Sequence, residues 1–460
     1  MGTRNRERRA AKAKRRAHRR AGGTPPNGWA PPEDGWPPPG ARGWPGAPPP
    51  PEPEPVEAVL AAAARHQLDG DRGAVRDCAE ELVATRPAAV DTAAQPVLVR
   101  ALGTVWTHGW LPYDVHQIAQ RRLDSAGVRC VVDAIAADTQ QYAAATVHQR
   151  WDDQLRQIDA TVWWQAGTPY LQQWARQRRC GSARALVSVV EALAMLAALP
   201  SLPQILPPPG TAQAGSATPS RGGVDQKVLT RVRALLAKAE STGFAEEAEA
   251  LSAKAQQLMS RHALERAMVE ADEGHDPDPA TARRLWLDNP YVGAKALLVD
   301  AVASANRCRA MFVEQLGFVT VLGDDTDLEI VELLTTSLLV QATKAMLAAG
   351  SRITRTGQSR TRSYRQSFLV AYATRIGERL STATEEAMTG GDGDAVAEPD
   401  RLLPVLAARE RVVDELFESM FPRTVQRSFS VSNVEGWHAG RAAADLALLD
   451  THHRLDATSG

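Results

Sequence analysis

Cysteine is scarce in this 460-residue chain: Cys78, Cys130, Cys180 and Cys308 lie 50 or more residues apart. No CxxC pair exists, so neither a zinc ribbon nor a disulfide framework is indicated, and a reducing, cytoplasmic setting fits best. Aromatic residues make up only 5% of the chain. β-Branched residues are sparse while Ala and Arg are abundant, which favours helix over sheet. No run of 18 apolar residues appears, so no membrane span is expected. The N-terminus is basic but leads into Gly and Pro without an apolar stretch, unlike a secretory signal. The 44% hydrophobic content nevertheless supports real cores. The length leaves room for two or three domains of roughly 100–200 residues.

Catalytic signatures are missing as well. No HExxH helix occurs: His262 leads to Glu265 but lacks a second His one turn on. His108 and His116 flank a Gly and a Pro, and His452 and His453 sit at the tail. No metal and no cofactor are expected. There is no GxxxxGK loop and no GxGxxG between a strand and a helix. Gly390, Gly391 and Gly393 surround Asp392, whose charge would repel phosphate. Nucleophilic catalysis lacks a GxSxG elbow. Arg307 and Arg309 flank Cys308 and would lower its pKa, although a small core residue is the simpler reading. Whether the protein is an enzyme is left open.

Charge is distributed unevenly. The net charge is −1, yet residues 4–20 (RNRERRAAKAKRRAHRR) hold ten Lys or Arg against the single acid Glu7. Outside that stretch 43 basic residues face 53 acidic ones. Arg8, Arg9, Arg15, Arg16, Arg19 and Arg20 form a polyanion-seeking arm on an acidic body. Residues 21–55 follow with 14 prolines and three Gly-Trp pairs at Trp29, Trp36 and Trp44. This composition predicts a disordered, largely polyproline II tail spanning up to about 100 Å. Its tryptophans could present themselves to a protein partner.

The remaining chain reads as mainly α with a small α+β unit. Residues 56–199 form an all-helical domain. Within it, SARALVSVVEALAMLAAL looks like a buried core helix, and Pro112 opens a helix over Tyr113 to Leu123. Residues 200–223 are a Pro-, Gly- and Ser-rich linker. Residues 224–271 form a helical hairpin, and 281–389 an α+β unit. That unit runs helix, β-hairpin, helix, helix: GAKALLVDAVASANRC, then RAMFV and FVTVLG split by Glu-Gln-Leu-Gly, then two long helices. Residues 390–400 are a loop. Residues 401–450 are C-terminal helices, in which Gly436 and Gly440 suit close helix packing.

The hairpin follows from periodicity. Leu229, Val232, Leu236 and Ala239 recur at helical spacing, with Lys227, Arg231, Arg233 and Lys238 between them. Ser241, Thr242 and Gly243 break the pattern. Glu246 and Glu247 then open a second helix carrying Ala248, Leu251, Ala255, Leu258 and Met259. Two helices this short are marginal alone, below roughly 12–15 residues, and must dock on another part of the chain. The segment KVLTRVRALLAKAESTGFAEEAEALSAKAQQLMSRHAL resembles the DUF2786 domain, a family of unknown function. The region after it also resembles the one usually attached to that domain. The resemblance implies a shape and no reaction.

Two further constellations carry functional expectations. SRITRTGQSRTRSYR, residues 351–365, contains Arg352, Arg355, Arg360, Arg362 and Arg365 and no acid. Guanidiniums entering a helix N-terminus suit phosphate, and Tyr364 would stack an unpaired base. The reading is a non-enzymatic nucleic-acid-associated or scaffold protein with DNA or RNA as partner. The alternative is a hydrolase or nuclease using Asp324, Asp325 and Asp327 in the GDDTD segment, acids that also suit helix capping.

Overall fold

Local chemistry sets the helix ends between Val56 and Leu199. The helices are α1 (Val56–Leu68), α2 (Arg72–Thr85), α3 (Pro87–Thr107), α4 (Pro112–Arg122), α5 (Ser125–Thr139), α6 (Gln149–Gln157), α7 (Tyr170–Arg178) and α8 (Ser182–Ala197). Asp71 and Asp124 cap α2 and α5 by accepting the backbone N–H groups of Ala74 and Gly127. Pro87 and Pro112 start α3 and α4, where a missing N–H costs nothing. Pro96 does not begin a helix; it sits inside α3. The apolar α8 is the hub, packed against α1, α2, α3 and α5. Leu186, Val189, Val190 and Leu196 of α8 are all buried.

The computed structural model describes residues 54–212, 230–235, 237–238, 258, 279–348, 361–389, 399–425 and 432–447. The fold is mainly α with a small antiparallel sheet. Sequence reading places two strands, β2 (Arg309–Val313) and β3 (Phe318–Gly323), joined as a hairpin. It does not anticipate β1 (Thr281–Trp286), which pairs antiparallel with β3 to give the order β1-β3-β2. The helices are α9 (Val292–Ala305), α10 (Asp325–Ala348), α11 (Thr361–Thr389), α12 (Pro399–Met420) and α13 (Val434–Asp445).

Both faces of the sheet are covered. The register sets Trp286 opposite Phe318 and Arg284 opposite Thr320, so alternate side chains share a face. Trp286, Phe318 and Val313 join the core of the N-terminal helices. Ala282 and Leu322 on the same face pack with Val413 and Phe417 of α12. Leu285, Val319, Val321 and Phe312 point the other way, into a core built with α9, α10 and α11. That second core also takes Val232, which is wholly buried, with Leu235 and Leu258 packed against it. The expectation that the hairpin docks on the chain therefore holds for its described residues.

Helix α13 crosses α11 at two glycines. A Cβ on Gly436 would collide with the backbone of Tyr364, and one on Gly440 with that of Phe368. Glycine removes the barrier to close backbone approach. Among the described residues α10 alone is long and apolar enough to cross a membrane. It opens with acids that pair with arginines and lays Leu328, Val331, Leu334 and Leu338 into the second core.

Candidate functional site

Residues from four elements line a cleft of about 790 Å³: α4, α6, β1 and α10. Its floor is β1, which has no second strand neighbour among the described residues. The backbone N–H of Leu287 donates to the carbonyl of Gly317 at 3.0 Å, which fixes the alternation of the ladder. Thr281, Arg283 and Leu285 therefore direct their backbone groups at β3. Ala282, Arg284 and Trp286 direct theirs outward along the free edge.

Arginines dominate one end of this cleft. Arg150 of α6 donates to the outward carbonyl of Ala282 at 3.0 Å and reaches Asp325 only at 3.8 Å. Arg283 donates to Asp325 at 2.9 Å and to Glu332 at 3.0 Å. Burial pulls the Arg150 guanidinium down to about 10, and the Arg283 charge adds to the shift. Burial works on Arg283 in the same direction, but Asp325 and Glu332 more than offset it and its pKa is raised. Arg233 pairs with Glu329 beside them. His148 lowers its pKa through burial and the Arg150 charge, and its Nδ1 accepts the Arg150 backbone N–H at 3.1 Å. Three polar atoms here are buried without a hydrogen-bond partner among the described residues: Arg283 Nε, Thr281 Oγ1 and Thr335 Oγ1.

The other end is held by a buried ion pair. Arg284 donates to Asp114 at 2.5 Å, and both side chains are 3% exposed. Arg284 also donates to the carbonyls of Gly109 at 2.9 Å and Pro203 at 2.8 Å. The Trp286 indole donates to the second Asp114 oxygen at 2.7 Å. Arg121 lies over the Trp286 ring at 4.6 Å and donates to the carbonyls of Leu316 and Leu287.

The residues singled out from sequence fall elsewhere. Arg362 is exposed on the first turn of α11 and Arg365 is half-buried on the next; neither lines the cleft. Tyr364 requires a correction: it is fully buried against Phe368 and beneath Gly436, so it cannot stack a base. Its spacing of four from Phe368 and eight from Tyr372 places it on the buried stripe of α11. Arg352, Arg355 and Arg360 lie outside the described residues, as do Arg8, Arg9, Arg15, Arg16, Arg19, Arg20 and the tryptophans of the Pro-rich tail.

The carboxylates of the hydrolase alternative are engaged. Asp324 accepts the backbone N–H of Thr326 at 3.0 Å, Asp325 holds Arg283, and the buried Asp327 accepts from Arg307 at 2.8 Å. Burial raises the Asp327 pKa against the pull of Arg307. Cys308 is buried, and burial, reinforced by Asp327, pushes its thiol well above the usual range despite Arg307. Among the described residues no group of three His, Cys, Asp or Glu is placed to hold a metal ion.

Arg150, Arg283, Arg284 and Asp114 were not legible as a site. The signal present was a pair of arginines inside a six-residue strand, one on each face; nothing near Asp114 pointed 170 residues ahead.

No curated protein and no solved structure matches this chain. Residues 227–266 match the family model described as protein of unknown function, DUF2786. That span contains Val232, Leu235 and Leu258, which dock on the second core, and Arg233, which pairs with Glu329 of the cleft. The chain is a DUF2786 domain-containing protein.

Proposed function

We propose that this is a non-enzymatic nucleic-acid-associated or scaffold protein of the cytoplasm, attached to polyanions by residues 4–20. The observation that carries the reading is charge segregation, ten basic residues against one acid in that stretch on an otherwise acidic chain. An arm of this density favours long-range, sequence-independent attachment to phosphate. Arg362 adds an exposed cation at the start of α11, where a helix N-terminus also favours anions. The Gly-Trp repeats offer a protein partner a handhold next to the arm.

Engagement of Asp324, Asp325 and Asp327 by backbone and arginines counts against the hydrolase alternative. The test is fluorescence anisotropy of the full chain with single- and double-stranded DNA and RNA across a salt series. The comparison is a variant with Arg8, Arg9, Arg15, Arg16, Arg19 and Arg20 changed to Gln. Neutralising six to ten phosphates gives a log–log slope of about −0.9 per phosphate on duplex DNA. A slope near zero, or binding unchanged by the six substitutions, overturns the reading.

A further inference from the structure

The cleft over β1 offers two kinds of unused valence in one place. Along its floor, the backbone N–H and C=O of Arg284 and Trp286 and the N–H of Ala282 point away from β3. These groups take no partner from another strand among the described residues. Most backbone groups removed from water in native structures are paired, and an edge strand templates a further strand. At the Ala282 end the surplus is of donors. Arg150 holds one carbonyl and stands 3.8 Å from the carboxylate it shares with Arg283. Arg283 Nε, Thr281 Oγ1 and Thr335 Oγ1 have no acceptor among the described residues, and Thr335 is 3% exposed.

An alternating edge matches an extended backbone, and a donor surplus matches a group that only accepts. We infer that the free edge of β1 binds an extended peptide as a fourth strand, with a peptide carboxylate seated between Arg150 and Arg283. Strand addition draws affinity from main-chain hydrogen bonds and specificity from pockets for alternate side chains. Leu285 and Leu339 line the cleft and supply apolar contact for those side chains. The acids that also line it do not repel the carboxylate unopposed. Asp325 and Glu332 are held by Arg283, Glu329 by Arg233, and Asp153 by Arg156. This site is independent of the N-terminal arm, and neither reading requires the other.

The test pans the full-length protein against a displayed library of random peptides of about eight residues with free C-termini. The enriched sequence is then synthesised in three forms: as the free acid, with its carboxylates converted to amides, and N-methylated at alternate residues. The free acid is expected to bind, and each modified form to lose about tenfold or more, since hydrogen bonds to charged groups and paired backbone bonds are both removed. Arg150→Ala is expected to weaken the free acid by a similar factor. Thr335→Val, which preserves shape, is expected to weaken it by less. Amide exchange should slow at Arg284 and Trp286 on binding.

Failure to enrich any peptide overturns the proposal. So does equal affinity for the free acid and the N-methylated form. Full competition by acetate or inorganic phosphate at the peptide's own concentration would make this a small-anion site and reject the peptide. Should Arg150→Ala lose its near-ultraviolet circular dichroism, Thr335→Val together with the amide and N-methyl forms decides the matter.

Discussion

Gly440 of α13 rests directly on the carbonyl of Phe368 in α11, leaving no room for a side-chain carbon between the two helices. Gly436 meets Tyr364 one turn earlier in the same way. Gly440→Ala should therefore force the helices apart and lower stability by about 1–3 kcal/mol, the usual cost of overpacking. Ala at Gly103, where nothing crowds the added carbon, is the control. Urea denaturation with equal m-values would measure the difference, and a neutral Gly440→Ala would mean the helices can separate freely.

Asp114 and Arg284 form a buried pair whose remaining hydrogen bonds are also used. Removing one partner strands a charge. Arg284→Met is expected to cost about 3–5 kcal/mol, as is typical for breaking such pairs. Adding Asp114→Asn in the same chain should restore part of the loss, because the stranded carboxylate is gone. A double-mutant cycle by chemical denaturation checks this; strictly additive losses would show that the two residues do not act together.

Acid should loosen the N-terminus of α6. Burial holds the folded His148 pKa below the ordinary 6.5, so the unfolded chain binds more protons across that window. Stability is fully present above about 6.5 and declines as pH falls through the folded value. Protonation also removes the Nδ1 acceptor that caps the Arg150 N–H. His148→Asn keeps an N-cap acceptor without titrating. Melting curves from pH 8 to pH 5 should flatten in that variant relative to the parent, and parallel curves would sink the assignment.

The four free cysteines should divide into two reactivity classes. Cys130 and Cys308 are buried, and burial pushes the Cys130 thiol up to about 12. Cys78 and Cys180 are only partly covered. Ellman's reagent should titrate Cys78 and Cys180 quickly and the other two only on denaturation. Early modification of Cys308 would place it outside the core.

Periodicity made much of this fold readable. RAMFV and FVTVLG are short β-rich runs split by a turn, and they form β2 and β3 with the expected limits. SARALVSVVEALAMLAAL is apolar over most of its circumference, with Arg184 and Glu191 on one face, and α8 is the hub. TARRLW failed as a strand signal because Arg284 occupies a core position, and partners far off in sequence, Asp114 with the carbonyls of Gly109 and Pro203, make that tolerable. Tyr364 was misplaced because arginines surround it in sequence, although its helical spacing to Phe368 already put it inside. The cleft was illegible because it joins α6 to β1 across 132 residues, and no local pattern records such a meeting.

That long-range pairing sets an order of events during synthesis. Asp114 leaves the ribosome 170 residues before Arg284 does. At about 5–20 residues per second the interval is roughly ten to thirty seconds. For that time the nascent helices carry an aspartate at a core position with neither Arg284 nor Trp286 to receive it. The N-terminal half can collapse early, but it completes its packing only when β1 emerges.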